Sequence, residues 1–235
     1  MERIDPNSDL SELANVYARV FEGPPWNEYT RCPEKDMFYG KQTNPGEICP
    51  DIECQAKGVI LEEAYPMEPT IAKIHKELTR PRAVGFMKRD DAGRIAGFSW
   101  SFAYVNPEAF AEDKYPDHMR PRISNLLISN GIRDEFFYMS ETGIVEESRG
   151  KKWSNEFYDA RLEIARKAEL PVVIRTNRDS LICAVAETYG FRQIMGPRVK
   201  VDRTKGYPEL VSSFEDLIND YCDQHIEDRV LFVLV

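Results

Sequence analysis

The stretch from Phe136 to Thr176 constrains the fold most. Phe136 to Val145 is an apolar run that reads as a buried strand, and it ends in Glu146 and Glu147. A basic turn follows, Arg149-Gly150-Lys151-Lys152. Over residues 153–169, Phe157, Arg161, Ile164, Ala165 and Ala168 recur along one side of a helix. Leu170 to Thr176 (LPVVIRT) is then a second short apolar strand. A chain that alternates strands with helices in this way builds a sheet covered by helices.

The flanking segments extend the pattern. Met1 to Ile4 (MERI) reads as an edge strand. Leu10, Leu13, Val16, Tyr17 and Val20 give a helix over Asp9 to Phe21, with Asn7 or Ser8 as N-cap and Gly23-Pro24-Pro25 as its stop. Residues 27–66 are irregular, and a loop that long needs something to organise it. A helix resumes near Pro69, with Ile71, Ile74, His75 and Leu78 on one stripe. Residues 82–104 read as a hairpin turning at Asp90-Asp91-Ala92-Gly93, with Phe98, Trp100 and Phe102 on one face. Residues 106–133 are a second insertion, broken by prolines and carrying one apolar run from Ile123 to Ile128. Residues 180–189 are helical, Gly190-Phe191 opens another strand, Leu217 to Tyr221 is a short helix, and Arg229 to Val235 is a last strand. The fold class is α/β (α+β): one domain over residues 1–235, with a mixed sheet and helices on both faces.

Charge and cysteine usage exclude several classes. The chain of 235 residues carries 31 basic and 40 acidic residues, a net charge of −9. Such a surface repels phosphate backbones, so no nucleic-acid partner is expected, and it suits a cationic small substrate. No apolar run reaches the roughly 20 residues that span a bilayer, and residues 1–10 contain no secretory apolar core. Five cysteines and no export signal point to reduced thiols in a cytoplasm. The three histidines, His75, His118 and His225, sit beside no evident nucleophile.

The basic turn carries the chemistry. A turn that opens a helix presents free backbone N–H groups and the positive end of the helix dipole, which favour an anion. Arg149, Lys151 and Lys152 add charge where a pyrophosphate would sit. The plain alternative is a solvated loop. Neither G-x-x-x-x-G-K-[ST] nor G-x-G-x-x-G is present, which argues against a nucleotide triphosphatase and a dinucleotide dehydrogenase.

In order and content these pieces resemble the GCN5-related N-acetyltransferase (GNAT) family. Gly143 to Lys151 resembles the end of the family's fourth strand and its [Q/R]-x-x-G-x-[G/A] loop. Arg175-Thr176-Asn177 through Tyr189-Gly190-Phe191 resembles the following strand and helix. Val20-Phe21 to Glu28 and the Val84–Phe102 hairpin resemble the family's entry helix and its second and third strands. The resemblance covers most of the chain outside residues 29–66 and 106–133. It implies acetyl-CoA as co-substrate, held by Ile144 and Val145 along the pantetheine arm, by Arg149, Gly150, Lys151, Lys152, Trp153 and Ser154 at the pyrophosphate, and by Asn177, with Asp179 the competing position. Lys152 stands where the family prefers glycine, and Ser154 where it prefers glycine or alanine.

The implied reaction is direct attack of a primary amine, on a small molecule or a peptide, upon the acetyl thioester. A neutral amine needs a base, and the thiolate leaves more readily if protonated. Glu141, among apolar neighbours in the strand, is the candidate base, with Glu146 and Glu147 able to act through water. Tyr189 is the candidate acid, although the family's usual tyrosine position holds Ala186; Tyr138, Tyr104 or water are alternatives. A noncatalytic module that binds acyl-CoA or a protein is the competing reading.

Cys32, Cys49 and Cys54 crowd into the irregular loop. A structural zinc would explain how that loop is ordered, with His75, a carboxylate or water as fourth ligand; unrelated reduced thiols are the plain reading. Cys183 and Cys222 read as structural. The sequence leaves the oligomeric state open.

Overall fold

The computed structural model describes residues 1–24, 26–35, 37–177, 180, 182–196, 198–202, 207–212 and 229–235. The expected helix at 217–221, Cys222 and Asp179 lie outside them. The elements run β1 (Glu2–Arg3), α1 (Ser11–Phe21), β2 (Thr30–Cys32), β3 (Met37–Tyr39), α2 (Ile52–Lys57), β4 (Glu62–Glu63), α3 (Met67–Leu78), β5 (Val84–Arg89) and β6 (Ile95–Tyr104). They continue with α4 (Pro107–Lys114), α5 (Arg120–Ser129), β7 (Phe136–Ile144), α6 (Trp153–Lys167), β8 (Val172–Asn177), α7 (Ile182–Thr188), β9 (Arg192–Met195), β10 (Arg198–Asp202), β11 (Tyr207–Ser212) and β12 (Arg229–Leu234).

Among the described residues the main sheet has seven strands in the order β1-β5-β6-β7-β8-β12-β9. β1 is the expected edge strand, antiparallel to β5. β7 and β8 pair in parallel through Phe137↔Val172, Tyr138↔Val173 and Met139↔Ile174, as the helix between them requires. The last strand inserts antiparallel between β8 and β9. The sheet is mixed and mostly antiparallel, and helices flank it, which is the fold class expected. No helix among the described residues is long and apolar enough to cross a membrane.

The chain divides into two compact units. One is Met1–Glu77 with Phe86–Phe98 and Thr142–Trp153; the other is Leu78–Gly85 with Ser99–Glu141 and Ser154–Val235. In the first, α1 buries Leu13, Val16, Tyr17 and Val20, and the Tyr17 ring stacks on Phe98 at 5.6 Å. Neither expected cap serves α1: Asn7 and Ser8 close a turn on Asp5, and Asp9 accepts the Ser11 N–H.

Residues 27–66 are more ordered than their sequence suggests. They contain a small antiparallel sheet, β3-β2-β4, and the short helix α2. Asp51 caps α2 by accepting from the Glu53 and Cys54 N–H groups, and Gly58 ends it at φ 67°. Periodicity missed these elements because each has between two and six residues.

The insertion at 106–133, in the second unit, is helical. Asn106 accepts the Ala109 N–H at 2.8 Å and Pro107 takes the first turn of α4, where its missing N–H costs nothing. Phe110 lies fully buried against the rings of Tyr104, Tyr115, Phe136 and Tyr138. Ile123 and Leu127 of α5 join the same core. The prolines that read as breaks sit at helix starts.

Candidate active site

The candidate anion cradle lies in the first unit, where β7 runs out. Val145 continues the ladder, its N–H donating to the Ala96 carbonyl at 3.0 Å, and its own carbonyl accepts from Ser148. Its N–H is therefore engaged within the sheet. Backbone groups alternate sides along a strand, so Ile144 turns its own away from β6. The Ile144 carbonyl already receives Arg149 Nε at 3.4 Å.

A single turn of 3₁₀ helix, Glu146–Ser148, leads into the basic turn. Gly150 has φ 82° and Lys152 φ 61°. A Cβ on Gly150 would meet nothing within 4 Å, so glycine serves backbone conformation there rather than close approach. Lys152 adopts the left-handed region with a side chain, at a cost of about 1 kcal/mol. A glycine preference at this position is thus explained by its φ, and the lysine keeps its N–H.

The side chains of the turn divide the work. Arg149 folds back on the chain, reaching the Pro24 carbonyl at 3.1 Å as well as Ile144. Lys151 lies over the Trp153 ring at 5.1 Å from its centroid, and Lys88 of β5 lies over the same ring at 5.2 Å. Lys88 is a residue that sequence reasoning missed, since only strand pairing brings it here. Trp153 opens α6 and Ser154 follows it, so the first N–H groups of α6 have no intrahelical acceptor. Glu147 is held by an ion pair with Arg19; its own backbone N–H, followed by Arg19, keeps the carboxyl below its ordinary range.

β7 is irregular upstream of the turn. Phe98 and Phe102 stand four residues apart in β6 and so share a face. A Cβ on Gly143 would lie 2.3 Å from the Phe98 ring, while the Phe102 ring meets Tyr138 at 5.6 Å. Tyr138 and Gly143 are five residues apart, yet both face that side. A regular pleat cannot do this with an odd spacing, so β7 carries one extra residue, a β-bulge, between them. Glu141 lies in that interval. Its carbonyl accepts from Ser99 Oγ at 3.1 Å and Arg161 Nη1 at 3.3 Å, and its side chain is half-buried.

In the second unit, Arg161 is almost fully buried in α6. It also donates to the Phe157 and Trp100 carbonyls, and burial lowers its pKa to about 10. Tyr189 stacks on Tyr158 with centroids 5.4 Å apart, and its hydroxyl donates to Asp159 at 2.8 Å. Burial, then that hydrogen bond, pushes its pKa up to about 12. Ala186 is buried. Asn177 ends β8, and its carbonyl accepts from the Ser180 N–H and the Cys183 thiol. Tyr138 is buried, and Tyr104 donates to Asp113.

Cys32, Cys49 and Cys54 come together, all fully buried, in the first unit. His75 lines a groove with Pro6, Asn7, Ser8, Leu10, Glu68, Ile71 and Ala72, and it is not in the thiol group.

The run β7, turn, α6, β8, α7, β9 preserves the order on which the GNAT resemblance rests. No protein-family model matches the chain, and no curated protein matches it. Among solved structures it is similar to Drosophila melanogaster polyamine N-acetyltransferase at 12% identity, over 74% of this chain and 83% of that one, with a TM-score of 0.47. It is also similar to mosquito arylalkylamine N-acetyltransferase like 5b, at 11% identity over 73% and 82% with a TM-score of 0.45. Chaetomium thermophilum Naa20, in complex with a bisubstrate analogue, gives 11% identity over 99% and 83% with a TM-score of 0.47. At such identities and scores no residue role transfers to this chain.

Proposed function

We propose that this chain is a GNAT-type acyltransferase that moves an acetyl group from acetyl-CoA to a primary amine by direct attack. The observation that carries the reading is the bulged β7 running straight into a turn with two left-handed residues and the start of α6. The turn and helix start supply N–H donors and positive charge for a pyrophosphate. Ile144 and the amides of Gly150 to Ser154 are the donors assigned to acetyl-CoA, with Lys151 and Lys88 nearby.

In the proposed reaction the amine nitrogen forms a bond to the acetyl carbon and the carbon–sulfur bond breaks. Glu141, directly or through one water, takes the proton that the amine must lose. The departing thiolate takes a proton from water or a tyrosine. Tyr189 is a weak donor for this step, because its proton is already given to Asp159. That engagement also favours the competing reading, a module that binds acyl-CoA without turnover.

Calorimetric titration of acetyl-CoA followed by thiol release against an amine panel tests the proposal. Stoichiometric binding with turnover is expected, and absence of binding would overturn both CoA readings. Glu141→Gln is expected to cut kcat by roughly 10²-fold or more while leaving acetyl-CoA affinity nearly unchanged; an unaltered kcat removes Glu141 as base.

A further inference from the structure

Three thiols from separate pieces of the chain converge in the first unit. Cys32 ends β2, Cys49 precedes α2, and Cys54 lies inside α2. All three are at most 1% exposed, and their Sγ atoms lie within 4.8 Å of one another. Cys32 Sγ and Cys54 Sγ are 3.7 Å apart. Four-coordinate zinc with Zn–S bonds near 2.3 Å sets its ligand sulfurs about 3.8 Å apart. A disulfide would need about 2.05 Å, and the three are free thiols. The Tyr39 hydroxyl stands 3.4 Å from Cys49 Sγ, against about 3.5 Å for a neighbouring oxygen ligand at a tetrahedral zinc.

The surroundings give the thiols a reason to hold a metal. The buried core of this lobe is Cys32, Cys49, Cys54 and Leu61, with Met37, Tyr39 and Val59 packed partly against it. Its sheet strands have two or three residues each. Three thiols and one leucine, with Ala64 also buried, are a small core for about forty residues, and small lobes of this kind are commonly stapled by metal. The backbone is already closed around the group: the Cys49 N–H donates to Val59, the Val59 N–H to Cys54 and the Leu61 N–H to Glu47.

We infer that Cys32, Cys49 and Cys54 form a trithiolate site for a zinc-class d¹⁰ cation, with the fourth position beside the Tyr39 hydroxyl, filled by that oxygen or by water. Each thiol releases one proton as its Zn–S bond forms, so three protons leave per metal bound. The site organises residues 27–66 and stands independently of the acetyl-transfer reading. His75, expected from the sequence as a possible fourth ligand, lines another groove.

The test uses the full chain. Metal content is measured after purification without chelator, and chelator-treated protein is titrated with Co²⁺. One equivalent of zinc is expected, and one equivalent of Co²⁺ should produce thiolate-to-cobalt charge transfer with tetrahedral d–d bands. Cys49→Ser should lose this spectrum and Cys183→Ser should keep it. If Cys49→Ser fails to fold, wild-type thiol counting decides: zinc should protect three of the five thiols from a disulfide reagent, and chelator should release them. Absence of thiolate-to-cobalt charge transfer in the wild-type chain overturns the inference.

Discussion

Residues 27–66 and residues 106–133 look alike in sequence, as proline-broken interruptions of a regular pattern, yet they are stabilised in different ways. The second insertion folds into two helices that push Phe110, Ile123 and Leu127 into a core cluster rich in aromatic rings. The first gathers three cysteines and one leucine, and leaves Ile48, Ile52 and Ile60 exposed at 57%, 84% and 47%. One segment contributes to a common core, whereas the other has a small thiol-centred core of its own and also rests its Tyr65 ring against Tyr17 and Phe21 of α1. Their stabilities should therefore be coupled to the rest of the molecule to different degrees.

Phe110→Ala should have the largest effect. Removing a ring that touches four others is expected to cost about 3–5 kcal/mol, read as a drop in the urea midpoint of the unit as a whole. If only residues 106–133 lose hydrogen-exchange protection, the insertion is an independent lobe and the contrast fails.

Acid should separate the two segments next. Asp113, at the end of α4, bonds Arg80 at 2.8 Å, pairs with Lys114 at 3.3 Å and accepts the Tyr104 hydroxyl. Burial alone would raise its pKa, but Lys114, Tyr104 and Arg80 together hold it down to about 2. A depressed folded pKa means stability that is full above the unfolded value near 3.9 and lost as pH falls toward 2. Asp113→Asn should remove that part of the acid dependence, which a midpoint-versus-pH series would show. An unchanged series would mean that this cluster adds nothing.

A matched pair of cap deletions gives the smallest and sharpest contrast. Asp51→Ala and Asn106→Ala each remove one N-cap, worth about 1 kcal/mol. The loss at Asn106 should appear in global unfolding. The loss at Asp51 should appear only as faster exchange of amides in residues 27–66, and zinc should reverse it. Equal global shifts would show that the thiol-centred lobe is as tightly coupled as the helical insertion.

Legibility in the sequence followed element length. β6, β7, α1 and α6 have between nine and fifteen residues and could be read from their periodicity. β2, β3, β4 and α2 could not, because a period needs several repeats to be seen. The three cysteines could be named in sequence, but their convergence depends on the hairpin that turns Cys32 toward α2. The basic turn was legible, and so was Lys152 as an oddity. Its left-handed φ and the placement of Lys88 beside Trp153 were not.

The sequence alone determined the alternation of strands and helices, the charged turn at the start of α6 and a chain with few histidines for catalysis. These follow from local pattern, in which each residue is read against its near neighbours. Tertiary structure decided the bulge in β7, the engagement of Tyr189 with Asp159, the spending of the Val145 N–H on β6 and the meeting of three thiols. Each depends on which distant segment lies alongside, and that is set by the packing of the whole core rather than by any local run of residues.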